Sequence, residues 1–344
     1  MGKIQELWKE WKRKLCFPAT PDYWNHVNIV AMLLFPVSAF YDLLSRKRRA
    51  MTTSHKLKVP VICVGNITMG GAGKTPVVLA LANYLKLNGV SVGIISRGYG
   101  RSGRGVIKVD PQLHQVSQVG DEPLQLAQSQ DVWVGKDKVA CSHMAMKAGK
   151  QVILMDDGLQ NASIEKTLSL LVIDGAYGLG NGFVFPAGPL REPLVDALRL
   201  PKAVIMIGDD ETHLTERLGK KMVIKARVEP KKETFPPTGS NVVAFAGIGR
   251  PEKFFSMLKG MGYNVLRAQA FPDHYPYEEK DLQDLCHYAG DQHAYLLTTQ
   301  KDFTRVPSSL KESITPCGIN LVFDEMEAID ALLHFILHPE LNNG

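Results

Sequence analysis

The stretch Val64-Gly65-Asn66-Ile67-Thr68-Met69-Gly70-Gly71-Ala72-Gly73-Lys74-Thr75-Pro76 constrains this chain more than any other. An apolar run from Val59 to Val64 feeds a glycine-rich turn, then Lys-Thr, then the helical pattern Val77–Leu87. A strand, a glycine-rich loop and a helix in that order turn backbone N–H groups onto a phosphate. In such a loop Lys74 reaches the β- and γ-phosphates and the Thr75 hydroxyl holds Mg²⁺. The nucleotide-binding candidates are therefore Thr68, Met69, Gly70, Gly71, Ala72, Gly73, Lys74 and Thr75. Thr68 stands where the pattern G-x-x-x-x-G-K-[ST] has its first glycine; the glycines at 70, 71 and 73 keep close approach and positive φ available. The alternative is a tight strand-to-helix turn with no ligand, and the lysine argues against it. The expectation is a nucleotide, ATP or GTP.

With 344 residues the chain has room for two domains, each with its own core. Apolar content of 45% and charged content of 22% exclude a disordered chain. The five cysteines (16, 63, 141, 286 and 317) form no C-x-x-C and no zinc spacing, so buried thiols in a reducing, cytosolic setting are expected. Residues 1–58 hold 11 Lys/Arg against 4 Asp/Glu, a net of +7, while the remainder carries −2. Basic character confined to one end argues against a nucleic-acid surface and for a local anionic partner.

That basic end is also amphipathic. Over residues 3–17, Ile4, Leu7, Trp8, Trp11 and Leu15 share a helical face beside lysines and an arginine. An apolar run, Val27 to Tyr41, follows and ends in Arg46-Lys47-Arg48-Arg49. The run starts too late for a secretory signal. It is shorter than the roughly 20 residues of a span and carries Asn28, Pro36, Ser38 and Asp42. An interfacial membrane segment is favoured over a helix merely packed on the domain, because tryptophans beside lysines suit that interface.

Beyond the loop, short apolar runs alternate with helical patterns, the mark of a parallel sheet with crossover helices. Strands are expected over 59–64, 91–96, 131–134, 151–155, 168–173 and 203–207, and helices over 76–88, 122–129 and 136–148. The expected organisation is a membrane-interacting segment (1–55), a nucleotide-binding core (56–220), a linker (221–240) containing a strand at Met222–Val228, and a second α/β domain (241–344). The fold class is α/β, with a P-loop NTPase-like, mostly parallel sheet domain, a second, smaller α/β domain and an N-terminal helical segment.

Several side chains could carry chemistry. Val152–Met155 runs into Asp156-Asp157-Gly158, and a carboxylate at such a strand end holds Mg²⁺; turn or capping aspartates are the plainer alternative. Gly120-Asp121-Glu122-Pro123 opens a helix, where Asp121 is either an N-cap or a general base, and Glu122 joins the metal candidates. His274, in Phe271-Pro272-Asp273-His274, is equally open between a structural and a catalytic role. Arg97, Tyr99, Arg101 and Arg104 follow a strand end, where they form a solvated loop or clamp a phosphate on the acceptor; Arg191 raises the same question. Met69 stands where one branch of membrane-associated ATPases has a further lysine, and Lys301 is one place too late for a guanine-recognition sequence. Both count against an ATPase switch and a GTPase.

Taken in order, these motifs resemble the tetraacyldisaccharide 4′-kinase family of lipid A biosynthesis. The resemblance spans most of the chain: Phe35-Pro36-Val37-Ser38-Ala39-Phe40-Tyr41, Val64–Thr68 into Gly-Lys-Thr-Pro, Ser96–Arg101, Val119–Pro123, Asp156–Gln160, Pro186–Pro193, Ala246–Pro251, Phe271–His274 and Thr298–Asp302. Threonine in place of the first loop glycine is usual there. Leu159 and Gln300 differ mildly from that family's common aromatic and glutamate. The resemblance implies transfer of the ATP γ-phosphoryl to the 4′-hydroxyl of tetraacyldisaccharide 1-phosphate, with ATP and Mg²⁺ as cofactors. It implies Asp121 as base partnered by His274 across a cleft between domains, Lys74 stabilising the transferred group, and Thr75, Asp156, Asp157 and Glu122 around the metal. It further implies a membrane-bound lipid substrate met at the cytoplasmic face of a Gram-negative inner membrane, with no nucleic acid and no obligate protein partner. Rival readings are a kinase of another membrane glycolipid, separable by an acceptor panel, and a membrane ATPase switch, which would hydrolyse ATP without acceptor.

Overall fold

The computed structural model describes residues 21–337, so the amphipathic pattern expected over 3–17 lies outside the described residues. The chain forms two compact units, one from Tyr23–Glu229 with the stretch that begins at Ile319, the other from Pro230–Gly318.

The larger unit opens with α1 (Ile29–Ala50), capped by Asn28, whose side chain accepts the Ala31 N–H. Pro36 lies inside it without ending it. The apolar run is therefore part of one continuous helix of 22 residues, longer than expected and, by length and composition, enough to cross a membrane. A narrow stripe docks it. Ala31 and Ser38 are buried, Ser38 Oγ accepts the Ala187 N–H at 2.9 Å, and the Phe35 and Tyr41 rings meet Phe183 and Phe185 edge-on, each at 5.5 Å. The remaining faces leave Ile29, Leu33, Phe40 and Leu43 more than 60% exposed.

Next come β1 (Val61–Gly65), α2 (Lys74–Leu87), β2 (Val92–Ser96), β3 (Ile107–Lys108), the short α3 (Val116–Val119) and α4 (Asp121–Leu126), and β4 (Val132–Val134). They are followed by α5 (Lys138–Lys147), β5 (Val152–Asp156), β6 (Leu168–Asp174), the short α6 (Leu194–Ala197), β7 (Ala203–Ile207) and β8 (Met222–Pro230). Strands β1, β2 and β4 to β7, apart from β3, are buried at every position. Sheets covered on both faces require such continuous apolar runs, and it is as short apolar runs between helical patterns that these strands are legible in the sequence.

The smaller unit holds β9 (Asn241–Ala246), α7 (Pro251–Gly260), β10 (Asn264–Ala270), α8 (Glu279–Asp291), β11 (Tyr295–Thr299), α9 (Gln300–Phe303) and β12 (Ile314–Cys317). Its sheet, ordered β10-β9-β11-β12, is wholly parallel. Aromatic and aliphatic clusters around Phe245 and Leu258 fill its two faces. Pro316 is tolerated in β12 because that strand is an edge.

The chain then returns. β13 (Ile319–Phe323) and α10 (Met326–Leu337) complete the larger unit, whose sheet runs β13-β8-β7-β6-β1-β5-β2-β4-β3. Leu321, Phe323, Ile329, Leu333 and Ile336 join the core that covers α2. The expected boundaries are corrected twice here. β8 is an integral sheet strand, pairing β7 in parallel, and not half of a linker. The second domain stops near 318, because the last strand and helix bury their apolar faces on the larger sheet. Among the described residues all four cysteines are free; Cys63, Cys141 and Cys317 are buried.

Candidate active site

The loop after β1 is held from three sides. Gly73 caps α2 in the left-handed conformation (φ 80°), and a Cβ there would meet Ile207 Cδ1 at 2.5 Å. Of the three glycines expected to use positive φ, Gly70 and Gly73 do so. Asn66, fully buried, donates from Nδ2 to the Thr68 carbonyl at 2.7 Å and to Thr68 Oγ1 at 3.3 Å. Thr68 thus has a use for its hydroxyl where other loops have glycine. The loop is also stitched to a neighbouring segment: the Met69 N–H donates to the Pro189 carbonyl and the Arg191 N–H to that of Ile67, both at 2.7 Å. Lys74, 9% exposed, donates to Asn66 Oδ1 at 3.1 Å and lies 3.8 Å from Asp157 Oδ1.

The two carboxylates stand at the end of β5, beside β1, with Val64 and Asp156 in register. Asp156 is buried. One oxygen accepts from Ser96 Oγ at 3.2 Å; the other has no hydrogen-bond partner. Burial, followed by the neighbouring charges of Glu122 and Asp157, pushes its carboxyl up to about 7. Asp157 behaves oppositely. Burial works to raise it, but Lys74 and Arg191 outweigh burial and hold it below the usual carboxylate range. Arg191 Nη1 meets both of its oxygens, at 2.8 and 2.9 Å. Asp157 adopts φ 52°, a conformation that costs energy for a non-glycine residue and concentrates at functional sites. Lys138, at the start of α5, is buried with no partner for Nζ; burial lowers it to about 8 although Asp156 pulls the other way.

Asp121 is not an N-cap: Gly120 caps α4, and Asp121 is its first residue, buried, accepting the Glu122 N–H at 2.9 Å. Glu122 is close enough for its charge to raise Asp156. Arg97 and Tyr99 lie exposed beyond β2. Arg101 does not: its guanidinium donates to the Val134 carbonyl at 2.8 Å and to that of Gly105, pinning the loop instead of reaching for an acceptor. Arg191 likewise serves Asp157. Sequence patterns gave no role to Asn66, Ser96, Gln160 or Glu192. Gln160 Nε2 donates to the Asn66 carbonyl at 3.2 Å and to Glu192 at 2.9 Å. Their only signal was membership of the quoted motifs.

In the smaller unit, His274 adopts φ 59° just after β10. Its N–H lies 3.1 Å from the Gly247 carbonyl and 3.0 Å from Asp273 Oδ1. Lys301 Nζ lies 3.5 Å from His274 Nε2 and 3.4 Å from Asp273 Oδ1. Buried Asp302 organises the turn, accepting from the Gly247 N–H (2.9 Å), Tyr277 (2.8 Å) and Thr299 (2.6 Å).

A buried lysine between a phosphate-type loop and paired carboxylates is the equipment of a phosphoryl-transfer site. Residues 30–337 match the family model described as LpxK: Tetraacyldisaccharide-1-P 4'-kinase. The chain belongs to the tetraacyldisaccharide-1-P 4'-kinase family. The tetraacyldisaccharide 4'-kinase of Rhodospirillum rubrum is 44% identical over 318 residues, covering 91% of this chain and 96% of that protein. The one from Gluconobacter oxydans is 40% identical, covering 92% and 97%. Among solved structures, the LpxK of Aquifex aeolicus in complex with ATP superposes with a TM-score of 0.72 at 26% identity, covering 90% of this chain and 100% of that one. Membership makes this tetraacyldisaccharide 4'-kinase family chain a kinase.

The site fits Mg²⁺. Asp156 offers a buried oxygen without a partner, beside Asp157 and Glu122, and Thr75 follows Lys74 in the first turn of α2. Among the described residues no cluster of three or more His, Cys, Asp or Glu could hold a metal alone. Magnesium characteristically takes one or two carboxylates and completes its shell with phosphate and water.

Proposed function

We propose that the protein transfers the γ-phosphoryl group of ATP to the 4′-hydroxyl of tetraacyldisaccharide 1-phosphate, with Asp121 as general base and His274 as its partner. One observation carries the reading: in a chain of this family, Lys74 at the start of α2 faces the carboxylates at the end of the adjacent strand. Backbone N–H groups from Gly70 to Thr75 cradle the phosphates, and Lys74 offsets charge as it develops on the transferred group. Lys74 exchanges Asn66 and Asp157 for phosphate oxygens when the donor enters. Thr75, Asp156, Asp157 and Glu122 supply the oxygen donors for Mg²⁺, which neutralises phosphate charge when bound. A sugar hydroxyl is a poor nucleophile, so a base must take its proton as the new P–O bond forms. Asp121, buried at the first turn of α4, is held for that role by the glycine turn before it. Its partner His274 is fixed by the Asp302-centred turn of the smaller unit.

The acceptor carries four acyl chains, which leave a bilayer only at great cost. The exposed apolar faces of α1 and its exposed Lys47-Arg48 support attachment to the cytoplasmic face of the inner membrane, aliphatic side chains in the acyl region and basic ones on anionic head groups. Arg97 and Tyr99, exposed beyond β2, are the candidates to meet the acceptor, whereas Arg101 and Arg191 hold partners within the larger unit.

Mass spectrometry of tetraacyldisaccharide 1-phosphate after incubation with ATP tests the reading. One added phosphate is expected with wild type and none with Lys74→Ala. Wild-type turnover by both Asp121→Ala and His274→Ala on saturating lipid would remove the proposed base and partner.

A further inference from the structure

A line of polar contacts runs from the apolar helix to the phosphate loop, wholly inside the larger unit. Arg49, in the last turn of α1, pairs through Nη1 with Glu192 Oε2 at 2.9 Å. Glu192 is only 8% exposed, and its other oxygen accepts from Gln160 Nε2 at 2.9 Å. That same nitrogen donates to the Asn66 carbonyl at 3.2 Å, while Gln160 Oε1 faces Arg191 Nη1 at 3.4 Å. Asn66 and Arg191 are the residues that set Lys74 and Asp157. Arg49 makes the ion-pair contact with Glu192, while Lys166 and Arg46 act on it only through charge, so removing Arg49 leaves a buried carboxylate poorly compensated and loosens its position. Gln160, with its amide shared between Glu192 and Asn66, follows.

We infer that Arg49 and Glu192 are positioning residues for the nucleotide site: their ion pair fixes Gln160, and through it Asn66 and Arg191, behind Lys74. Neither residue reaches the phosphates. Their effect lies in the orientation of the groups that do, as outer-shell partners orient metal ligands. The helix that carries the exposed apolar face and the loop that holds the phosphoryl donor are thereby one mechanical piece. This inference rests on the reading of 66–75 as the nucleotide loop, and Lys74→Ala separates the two failures: unchanged nucleotide affinity in that variant defeats the loop reading itself.

The test titrates the full-length protein in detergent with Mg²⁺ and a non-hydrolysable ATP analogue, alongside KM for ATP, kcat on the lipid acceptor and thermal midpoint. Arg49→Met and Glu192→Gln are expected to weaken analogue binding about tenfold and to raise KM for ATP in step. The double variant should be no worse than either single, because both break one link. Arg49→Lys, which keeps the charge, should recover most of the affinity. Arg46→Met is the control: Arg46 pairs with Asp42 and with Asp196, another tie between α1 and the segment after β6, and it feels Glu192 through charge alone, without an ion-pair contact. It should leave analogue affinity unchanged. Wild-type affinity in Arg49→Met, or an equal loss in Arg46→Met, overturns the inference; the latter would mean that only helix docking at large matters.

Discussion

Lys74 is held by a carbonyl oxygen of a side-chain amide and by a carboxylate, which keeps a buried cation satisfied until a phosphate replaces them. Replacing it with alanine should lower kcat by about 100- to 1000-fold, the usual loss of one preorganised charge at a transition state, measured with saturating ATP and lipid. Asp156 gives a pH signature. With its carboxyl pushed up to about 7, it is protonated in the free protein at pH 6 and ionised at pH 8. In the proposed metal role Asp156 would bind Mg²⁺ in its ionised form, and binding would draw the proton off. Affinity for the magnesium-bound analogue should therefore rise between pH 6 and pH 8, and calorimetric heats at pH 6.5 should vary with the buffer's ionisation enthalpy. Buffer-independent heats would show that Ser96, Lys138 and Lys74 already keep Asp156 ionised. Positions of this kind were half legible in the sequence. Gly-Lys-Thr and Asp-Asp-Gly announce themselves because their geometry is set by covalent neighbours. Asn66, Ser96, Gln160 and Glu192 have roles that exist only once distant segments meet, and no local pattern encodes them.

At the scale of elements, α1 depends on the irregular stretch between β6 and α6 for its docking. Trp24 Nε1 donates to the Pro186 carbonyl at 3.1 Å, and Ala187 binds Ser38. Gly188 sits at the tightest point: a Cβ there would come within 2.4 Å of the Phe183 carbonyl oxygen. Gly188→Ala should cost about 1–3 kcal/mol, the range of an overpacked site, read as a lower denaturation midpoint at unchanged m-value. The opposite face of α1 has a different sensitivity. Leu33→Asp with Phe40→Asp alters only exposed positions, so thermal stability should change little, while the protein should shift from the membrane fraction to the soluble fraction of a lysate. Retention on membranes in that double variant would place the anchor elsewhere. The helix was read from sequence as a run too short for a span and carrying Asn28, Pro36, Ser38 and Asp42; it extends instead to Ala50 with Pro36 inside it.

For the whole molecule, the decisive feature is that the smaller unit is an insertion. The chain leaves the larger unit after β8 and re-enters it at β13, and the insertion's two ends are tied by the Lys231 N–H donating to the Gly318 carbonyl at 2.9 Å. Replacing residues 232–317 with a short Gly/Ser bridge should leave a folded larger unit that binds the ATP analogue within a few-fold of wild type. The same protein should make no phosphorylated lipid if His274 has the role proposed above. An unfolded product would mean that the larger unit needs its insertion to fold. This arrangement escaped the sequence because a five-residue apolar strand fits any sheet; only the burial of Leu321 and Phe323 on the larger core decides its home. The alternation of strand and helix was legible throughout, while allegiance of the last two elements was not.

That insertion also sets a clock. β8 is an inner strand only because β13 lies against it, and β13 is made only after the whole smaller unit. During synthesis at roughly 5–20 residues per second, the hydrogen-bonding edge of β8 stands open for about 5–20 s while the smaller unit emerges. An open edge of that kind invites pairing with other chains. The nascent protein is therefore most vulnerable in the interval between its two visits to the same sheet.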